Sequence, residues 1–131
     1  PAITCWGFQK DIRPYLAASN ILAFPSYREG FPNVPMQAGL MGCMLILSDI
    51  NGCNEIVDHE KNGLLVPVKN TMALQQAMFQ SRQSPATTAH YAQQIRKKIV
   101  EGFDQQQLWK LILQEYQYWL TKKKISLPAQ P

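Results

Sequence analysis

The chain has 131 residues, 46% hydrophobic and 17% charged, with a formal net charge of +4. That is the size of one compact domain with apolar material for a core, and it excludes an intrinsically disordered segment. No run of about 18 apolar residues occurs, so no membrane-spanning helix is expected, and basic and aromatic residues are not interleaved as a nucleic-acid reader requires.

The N-terminal stretch PAITCWGFQK has no basic region followed by a long apolar core, so it does not read as a signal peptide. It lacks an initiator Met and begins almost inside a strand pattern, which points to a fragment of a longer protein. AITCW (2–6) is expected as a strand, and DIRPYLAAS (11–19) as a helix that tolerates Pro14 in its first turn. ILAFPS (21–26) is a second strand, PMQAGLMG (35–42) a helix, MLILS (44–48) a third strand, CNEIVD (53–58) a short helix and GLLVP (63–67) a fourth strand. Short apolar strands separated by helices predict an α/β fold. The expected architecture is a Rossmann-like parallel sheet of about four strands with helices on both faces, ending in helices.

Past residue 68 the pattern is helical. Asn70 or Thr71 can cap a helix carrying Leu74, Ala77 and Met78 on one face. A second helix follows Pro85, with Ile95, Ile99 and Phe103 in one stripe. The last runs from Asp104 to about Leu120 and carries Leu108, Ile112, Tyr116 and Trp119; so aromatic a terminal helix suits docking on something outside the fragment. SLPAQP is a loose tail. Much of the basic excess lies in Arg96, Lys97 and Lys98 and in Lys122, Lys123 and Lys124, where a solvated helix face or attraction to an anionic surface would account for it. Cys5, Cys43 and Cys53 show no C-x-x-C spacing and read as reduced thiols. His59 and His90 lack metal-ligand spacing and read as surface or structural residues.

The stretch SYREGFPNVPMQAG (26–39) carries the chemistry. In a parallel α/β sheet, ligands bind outside the carboxyl ends of the strands, and this loop sits at such an end. A helix starting near Pro35 would present free N–H groups and a partial positive charge, which suits phosphate. Gly30 removes a side chain where a ligand approaches the backbone. Glu29 places a carboxylate beside that anion site, a position suited to binding hydroxyls or a developing positive charge. Gln37, eight residues after Glu29, offers an amide to polyhydroxyl groups such as a ribose. Physically the loop reads either as a nucleotide diphosphate-sugar site or as a Pro/Gly turn with a surface charge.

FPSYREGFPNVPMQAGLMGCMLILSDINGCNEIVDHEKNGLLVP resembles the donor-binding half of the family 4 retaining glycosyltransferases, which have the two-domain GT-B fold. It is most similar to the bacterial branch that builds capsular, O-antigen and exopolysaccharide repeat units on a lipid carrier. The likeness extends from about residue 4 to residue 78, and more loosely to the terminal helix. By position, Glu29 corresponds to the first Glu of the family's Glu, seven residues, Glu motif, beside the donor sugar and reaction centre. The resemblance implies that the amides of Gly30, Phe31, Asn33 and Val34 face the sugar and diphosphate, and that the second motif Glu, which binds the ribose, is replaced here by Gln37. A neutral amide in place of a carboxylate is expected to weaken donor binding by about tenfold. Gly7, Phe8 and Gln9 match the family's loop beside the base, or form a strand-end turn. Asn51, Gly52 and Glu55 line the same rim, though Glu55 serves equally as a helix cap. Arg28 either neutralises phosphate or pairs with Glu29 or another neighbour.

The resemblance divides the chain into residues 1–121, a partial C-terminal nucleotide-sugar-binding domain, and residues 122–131, a basic, proline-containing tail. It implies transfer, with retention, of a sugar from a nucleotide-diphosphate sugar, a UDP-sugar being the better choice, to a glycan or lipid-linked acceptor. No metal or cofactor is expected, and no Asp-x-Asp cluster is present. The acceptor-binding N-terminal domain and a basic pair that neutralises the leaving diphosphate are not found, so the fragment is expected to be inactive alone. A cytoplasmic location, with peripheral contact at the inner face of the cytoplasmic membrane as an extension of it, goes with that reading. The competing readings are another enzyme on the same architecture, such as an epimerase or phosphorylase, and a non-catalytic nucleotide-binding or assembly module; a dinucleotide dehydrogenase is disfavoured because no G-x-G-x-x-G follows the first strand.

Overall fold

The computed structural model describes residues 3–123 and 125. In chain order the elements are α1 (Arg13–Ala17), β1 (Ile21–Phe24), α2 (Asn33–Leu40), β2 (Met44–Ser48), α3 (Cys53–Ile56), β3 (Leu64–Val66), α4 (Thr71–Gln83), α5 (Pro85–Gly102) and α6 (Gln105–Lys122). The strands form one parallel sheet in the order β1-β2-β3, with Ile21 opposite Met44 and Ile46 opposite Leu64.

Strand β2 is the centre of the fold because every residue of MLILS is apolar or small, and all five are buried. Successive side chains of a strand point to opposite faces, and both faces of β2 are covered. Leu45 and Leu47 pack into a cluster with Leu16 of α1, Ala38 of α2, Cys53 and Ile56 of α3, and Ile95 and Ile99 of α5. Met44 and Ile46 join a second cluster with Leu64, Val66 and Ala77 of α4. Fully burying a Leu, Ile or Met side chain contributes about 1.5–3 kcal/mol, so the strand anchors both layers. Helices α2 and α5 meet at Gly39, where a Cβ would lie 3.3 Å from Ile95 Cγ1, so the missing side chain lets the two axes approach.

Two expectations change. AITCW does not form a strand: residues 3–8 are irregular and exposed, with Ile3 81% and Trp6 64% accessible. A strand is made by its ladder partner, and β1 pairs only with β2 among the described residues, so the sheet has three strands rather than about four. Helix α2 starts at Asn33 instead of near Pro35, with Pro32 as its N-cap residue. Pro35 falls in the first turn, where a missing N–H still costs nothing. Helix α6 forms where it was expected and buries none of its residues, leaving Leu108, Trp109, Leu111, Tyr116 and Trp119 exposed. The expected tail lies largely outside the described residues, Lys122 being the last residue of α6.

Caps follow the sequence closely. Asn70 Oδ1 accepts from Ala73 N at 3.0 Å at the start of α4, and Asp104 Oδ1 accepts from Gln106 N at 2.9 Å at the start of α6. His59 has a structural part, its Nδ1 accepting from Leu65 N at 2.9 Å. Cys43 and Cys53 are buried free thiols and Cys5 is an exposed one. No helix among the described residues is long and apolar enough to cross a membrane.

Candidate functional site

The carboxyl ends of β1, β2 and β3 open onto the loops 25–32, 49–52 and 67–70. The first of these carries Glu29. It is half-buried, and the Ser26 hydroxyl donates to its Oε1 at 2.7 Å. The same hydroxyl lies 3.3 Å from the Arg28 carbonyl oxygen, a longer contact that its single proton serves less well. Arg28 is exposed and makes no ion pair with Glu29; the Lys and Arg pairs among the described residues are Arg13–Asp11 and Lys98–Asp58. That removes the local partner for Arg28 that the sequence left open.

Gly30, Phe31, Asn33 and Val34 follow directly. Pro32, the N-cap residue of α2, has no side chain able to accept, and no side-chain cap covers the helix start. The helix therefore begins with the amides of Asn33 and Val34, followed by Pro35, which has none. An uncapped helix start carries a partial positive charge that favours an anion. Phe31 is fixed from behind, its ring centroid 5.3 Å from that of Phe103 at the end of α5. Gln37 is the fifth residue of α2 and so stands in its second turn, exposed to solvent.

The second loop presses against the first. Gly52 is buried, with φ +80°, and a Cβ there would collide with the Gly30 carbonyl oxygen while standing 3.2 Å from Pro32 Cδ. Gly52 also caps the short helix α3, which puts Glu55 in its first turn, exposed beside Asn51. Asn54 Nδ2 donates to Asp49 Oδ1 at 3.4 Å and closes this turn. Cys53, fully buried below it, has its thiol pushed up, first by burial and then by the negative charge of Glu29.

A small cavity of about 160 Å³ lies along the same sheet end, lined by Pro25, Tyr27, Ser48, Val66 and Lys69 among others. The Lys69 ammonium stands 5.9 Å from the Tyr27 ring centroid. A larger cavity of about 750 Å³ runs instead along the outer side of β1 against α4 and α5, past Ile21, Ala23, Met78 and Ala92. None of the candidate donor-site residues named from the sequence lines it, although Arg96 of the basic cluster does. Its lining includes Asn20 and Gly42, just ahead of β1 and β2, so it lies toward the amino ends of these strands and away from the loop that carries Glu29.

Glu29, Gly30, Phe31, Asn33, Val34 and Gly52 are thus brought together, with Asn51, Glu55 and Gln37 exposed on adjoining turns. Gly7, Phe8 and Gln9 are not tied to them. Gln9 Nε2 donates to Trp6 O at 2.8 Å, Trp6 packs on Tyr15 at 5.4 Å, and Phe8 is 93% exposed. Sequence reasoning overlooked Ser26 and Cys53. The Ser26 contact had a local signal, a hydroxyl three residues before a carboxylate; the Cys53 contact had none. No group of three or more His, Cys, Asp or Glu side chains able to hold a metal occurs among the described residues.

A family profile described as "Glycosyl transferases group 1" matches residues 1–82. The chain is 31% identical over 98 residues to a UDP-Gal:alpha-D-GlcNAc-diphosphoundecaprenol alpha-1,3-galactosyltransferase of Escherichia coli, covering 75% of this chain and 25% of that one. It is 34% identical over 73 residues to the N,N'-diacetylbacillosaminyl-diphospho-undecaprenol alpha-1,3-N-acetylgalactosaminyltransferase of Campylobacter jejuni, covering 56% and 19%. Among solved structures, HepE of Anabaena in complex with UDP superposes with a TM-score of 0.77 at 25% identity, over 83% of this chain and 31% of that one. The chain spans about a quarter or less of the two curated relatives.

Proposed function

The chain belongs to the group 1 glycosyltransferases, and from that premise we propose that it forms the donor-binding part of a retaining transferase. The whole enzyme transfers a sugar from a nucleotide-diphosphate sugar, best a UDP-sugar, to a glycan or lipid-linked acceptor in cell-surface polysaccharide synthesis. The observation that carries this reading is the juxtaposition of a half-buried Glu29 with the uncapped start of α2 at the carboxyl end of the sheet. An anion site and a carboxylate side by side oppose each other unless a ligand has both a phosphate and a group that welcomes negative charge. A sugar diphosphate has both, in its diphosphate and in the anomeric carbon and hydroxyls.

Backbone amides of Gly30, Phe31, Asn33 and Val34 hold the diphosphate and the sugar, and stabilise charge as the nucleotide leaves. Glu29 lies by the anomeric carbon, whose bond to the diphosphate breaks. Gln37, Asn51, Gly52 and Glu55 form the rim, Arg28 reaches the phosphates, and Gly7, Phe8 and Gln9 close on the base when the donor is present. Residues 1–121 act as this donor-binding unit, and 122–131 as a basic tail. The acceptor belongs to a part of the enzyme outside this chain. The protein works on the cytoplasmic side of the membrane and meets it peripherally through the lipid-linked acceptor. The names of the Escherichia coli and Campylobacter jejuni relatives, both of which act on diphospho-undecaprenol saccharides, support that choice of acceptor.

One observation favours a second reading, a non-catalytic nucleotide-binding or assembly module: Gln37 stands where the family's motif has Glu. An amide NMR titration with UDP, GDP and a UDP-sugar, which tolerates millimolar affinity, tests the donor site. Shifts clustered at Gly30, Asn33, Val34 and Gln37 are expected. Clean spectra without shifts, followed by no transfer in the intact protein, would favour the assembly module.

A further inference from the structure

Glu29 sits on an irregular loop between β1 and α2, where no secondary structure fixes its side chain. A glutamate has three rotatable side-chain bonds, and a carboxylate that must meet a reacting carbon needs fixing to well within an ångström. One polar contact among the described residues supplies that constraint. The Ser26 hydroxyl donates to Oε1 at 2.7 Å, a length in keeping with a charge-assisted O–H···O⁻ bond. Ser26 itself is well seated: it is half-buried, and it follows Pro25, which fixes the backbone angle at the exit of β1. Its hydroxyl also lies within reach of the Arg28 carbonyl oxygen at 3.3 Å, so the turn 26–29 closes on itself.

We propose that Ser26 is the positioning residue for Glu29, holding Oε1 so that the other carboxylate oxygen is presented to the donor sugar. The inference rests on the reading of Glu29 given above and deepens it. Two features separate this from a mere turn contact. The bond goes to the carboxylate rather than only to the backbone, and the carboxylate is not shared with a cation, since Arg28 takes no part. The hydroxyl is therefore what orients the charge. Binding of the nucleotide draws on the amides after Gly30, which Ser26 does not touch, so its loss acts on turnover rather than on donor binding.

The experiment uses the intact transferase that carries this chain, with Ser26→Ala, Ser26→Thr, Glu29→Gln and the double variant Ser26→Ala/Glu29→Gln. Ser26→Ala is expected to lower kcat by about tenfold or more with donor KM changed by less than about threefold, the penalty of a misdirected group. Ser26→Thr, which keeps the hydroxyl, should recover most of the activity. In the Glu29→Gln background, Ser26→Ala should cost little further, because a residue acting through another is not additive with it. A kcat within about twofold of the parent for Ser26→Ala, or an equal loss in both backgrounds, would overturn the proposal while leaving the role of Glu29 intact. If Ser26→Ala does not fold, the Ser26→Thr result decides: full loss in a folded Thr variant counts against the hydroxyl. If the parent enzyme shows no transfer at all, the inference falls together with the reading on which it rests.

Discussion

Gly52 and Gly30 lie in direct backbone contact, so that a β-carbon on Gly52 would overlap the Gly30 carbonyl oxygen and stand 2.9 Å from its carbonyl carbon. Gly52 also holds φ +80°, a conformation that side-chain-bearing residues adopt only with strain. The loop after β2 thereby becomes a wall for the loop after β1. Gly52→Ala should cost about 1–3 kcal/mol from the backbone conformation alone, and must also move the Gly30–Pro32 segment. Urea denaturation and UDP titration of the same variant measure the two effects. Unchanged stability, within about 0.5 kcal/mol, together with unchanged nucleotide binding would refute the close approach.

On the proposed reading, Glu29 is the charge beside which the bond to the diphosphate breaks. Glu29→Ala in the intact transferase should lower kcat by more than about a hundredfold, on the scale of losing one well-placed electrostatic group. Binding of UDP, which lacks the sugar, should stay within about threefold. A loss of only tenfold in kcat would remove Glu29 from the reaction centre.

Gln37 stands exposed in the second turn of α2. Gln37→Glu restores a carboxylate able to accept from two ribose hydroxyls. Charge-assisted hydrogen bonds exceed neutral ones by about 1 kcal/mol, so calorimetry should find nucleotide bound about fivefold to tenfold more tightly. Absence of any gain, in a folded variant, would tell for an assembly module and against the ribose contact.

The parts of this fold that were legible in the sequence share one property: their signal is local. MLILS is apolar at every position but its small final Ser48, a pattern that suits a strand covered on both faces. Asn70 and Asp104 announce their helices because capping is a contact within three residues. AITCW has an apolar look like that of MLILS, but its described part, residues 3–6, is irregular, because a strand depends on a neighbour that its own letters do not contain. The start of α2 was misplaced for a different reason. Proline is tolerated anywhere in a first turn, so Pro35 could not distinguish a start at Asn33 from one at its own position. At the site, the loop 26–37 stood out as a candidate because its residue types are unusual together. The contacts that shape it, Gly52 on Gly30 and Phe103 on Phe31, come from distant segments and left no trace in the spacing.

Asp11 gives a test of the segment ahead of α1. Hydrogen bonds from the Arg13 side chain, then from its backbone N–H, hold the Asp11 carboxyl down to about 2, against 3.8 ordinarily. The Arg13 contacts are 2.9 Å from Nε, 2.8 Å from Nη2 and 3.0 Å from the amide. A depressed carboxylate contributes stability that is present above the unfolded value of 3.8 and lost as pH falls toward about 2. Carbon-detected NMR titration should find the low midpoint, and Arg13→Ala should return it upward. A midpoint near 3.8 in the parent chain would show that the fork is not formed in solution.

The thiols supply the complementary test at high pH. Burial raises Cys43, and burial together with the charge of Glu29 raises Cys53, each above the ordinary 9.0. A thiol raised in the fold stays neutral there while the unfolded chain ionises, so its contribution is intact below pH 9.0 and declines as pH climbs from there toward the folded value. Near pH 8 a colorimetric thiol reagent should therefore label the exposed Cys5 quickly and the two buried thiols only on unfolding. Glu29→Gln removes a negative charge beside Cys53 without altering its burial. That variant should lower the Cys53 titration midpoint while leaving Cys43 where it was. Equal behaviour of Cys53 in the two proteins would place the Glu29 carboxylate away from the floor of the site, and with it the loop geometry that brings carboxylate and helix start together.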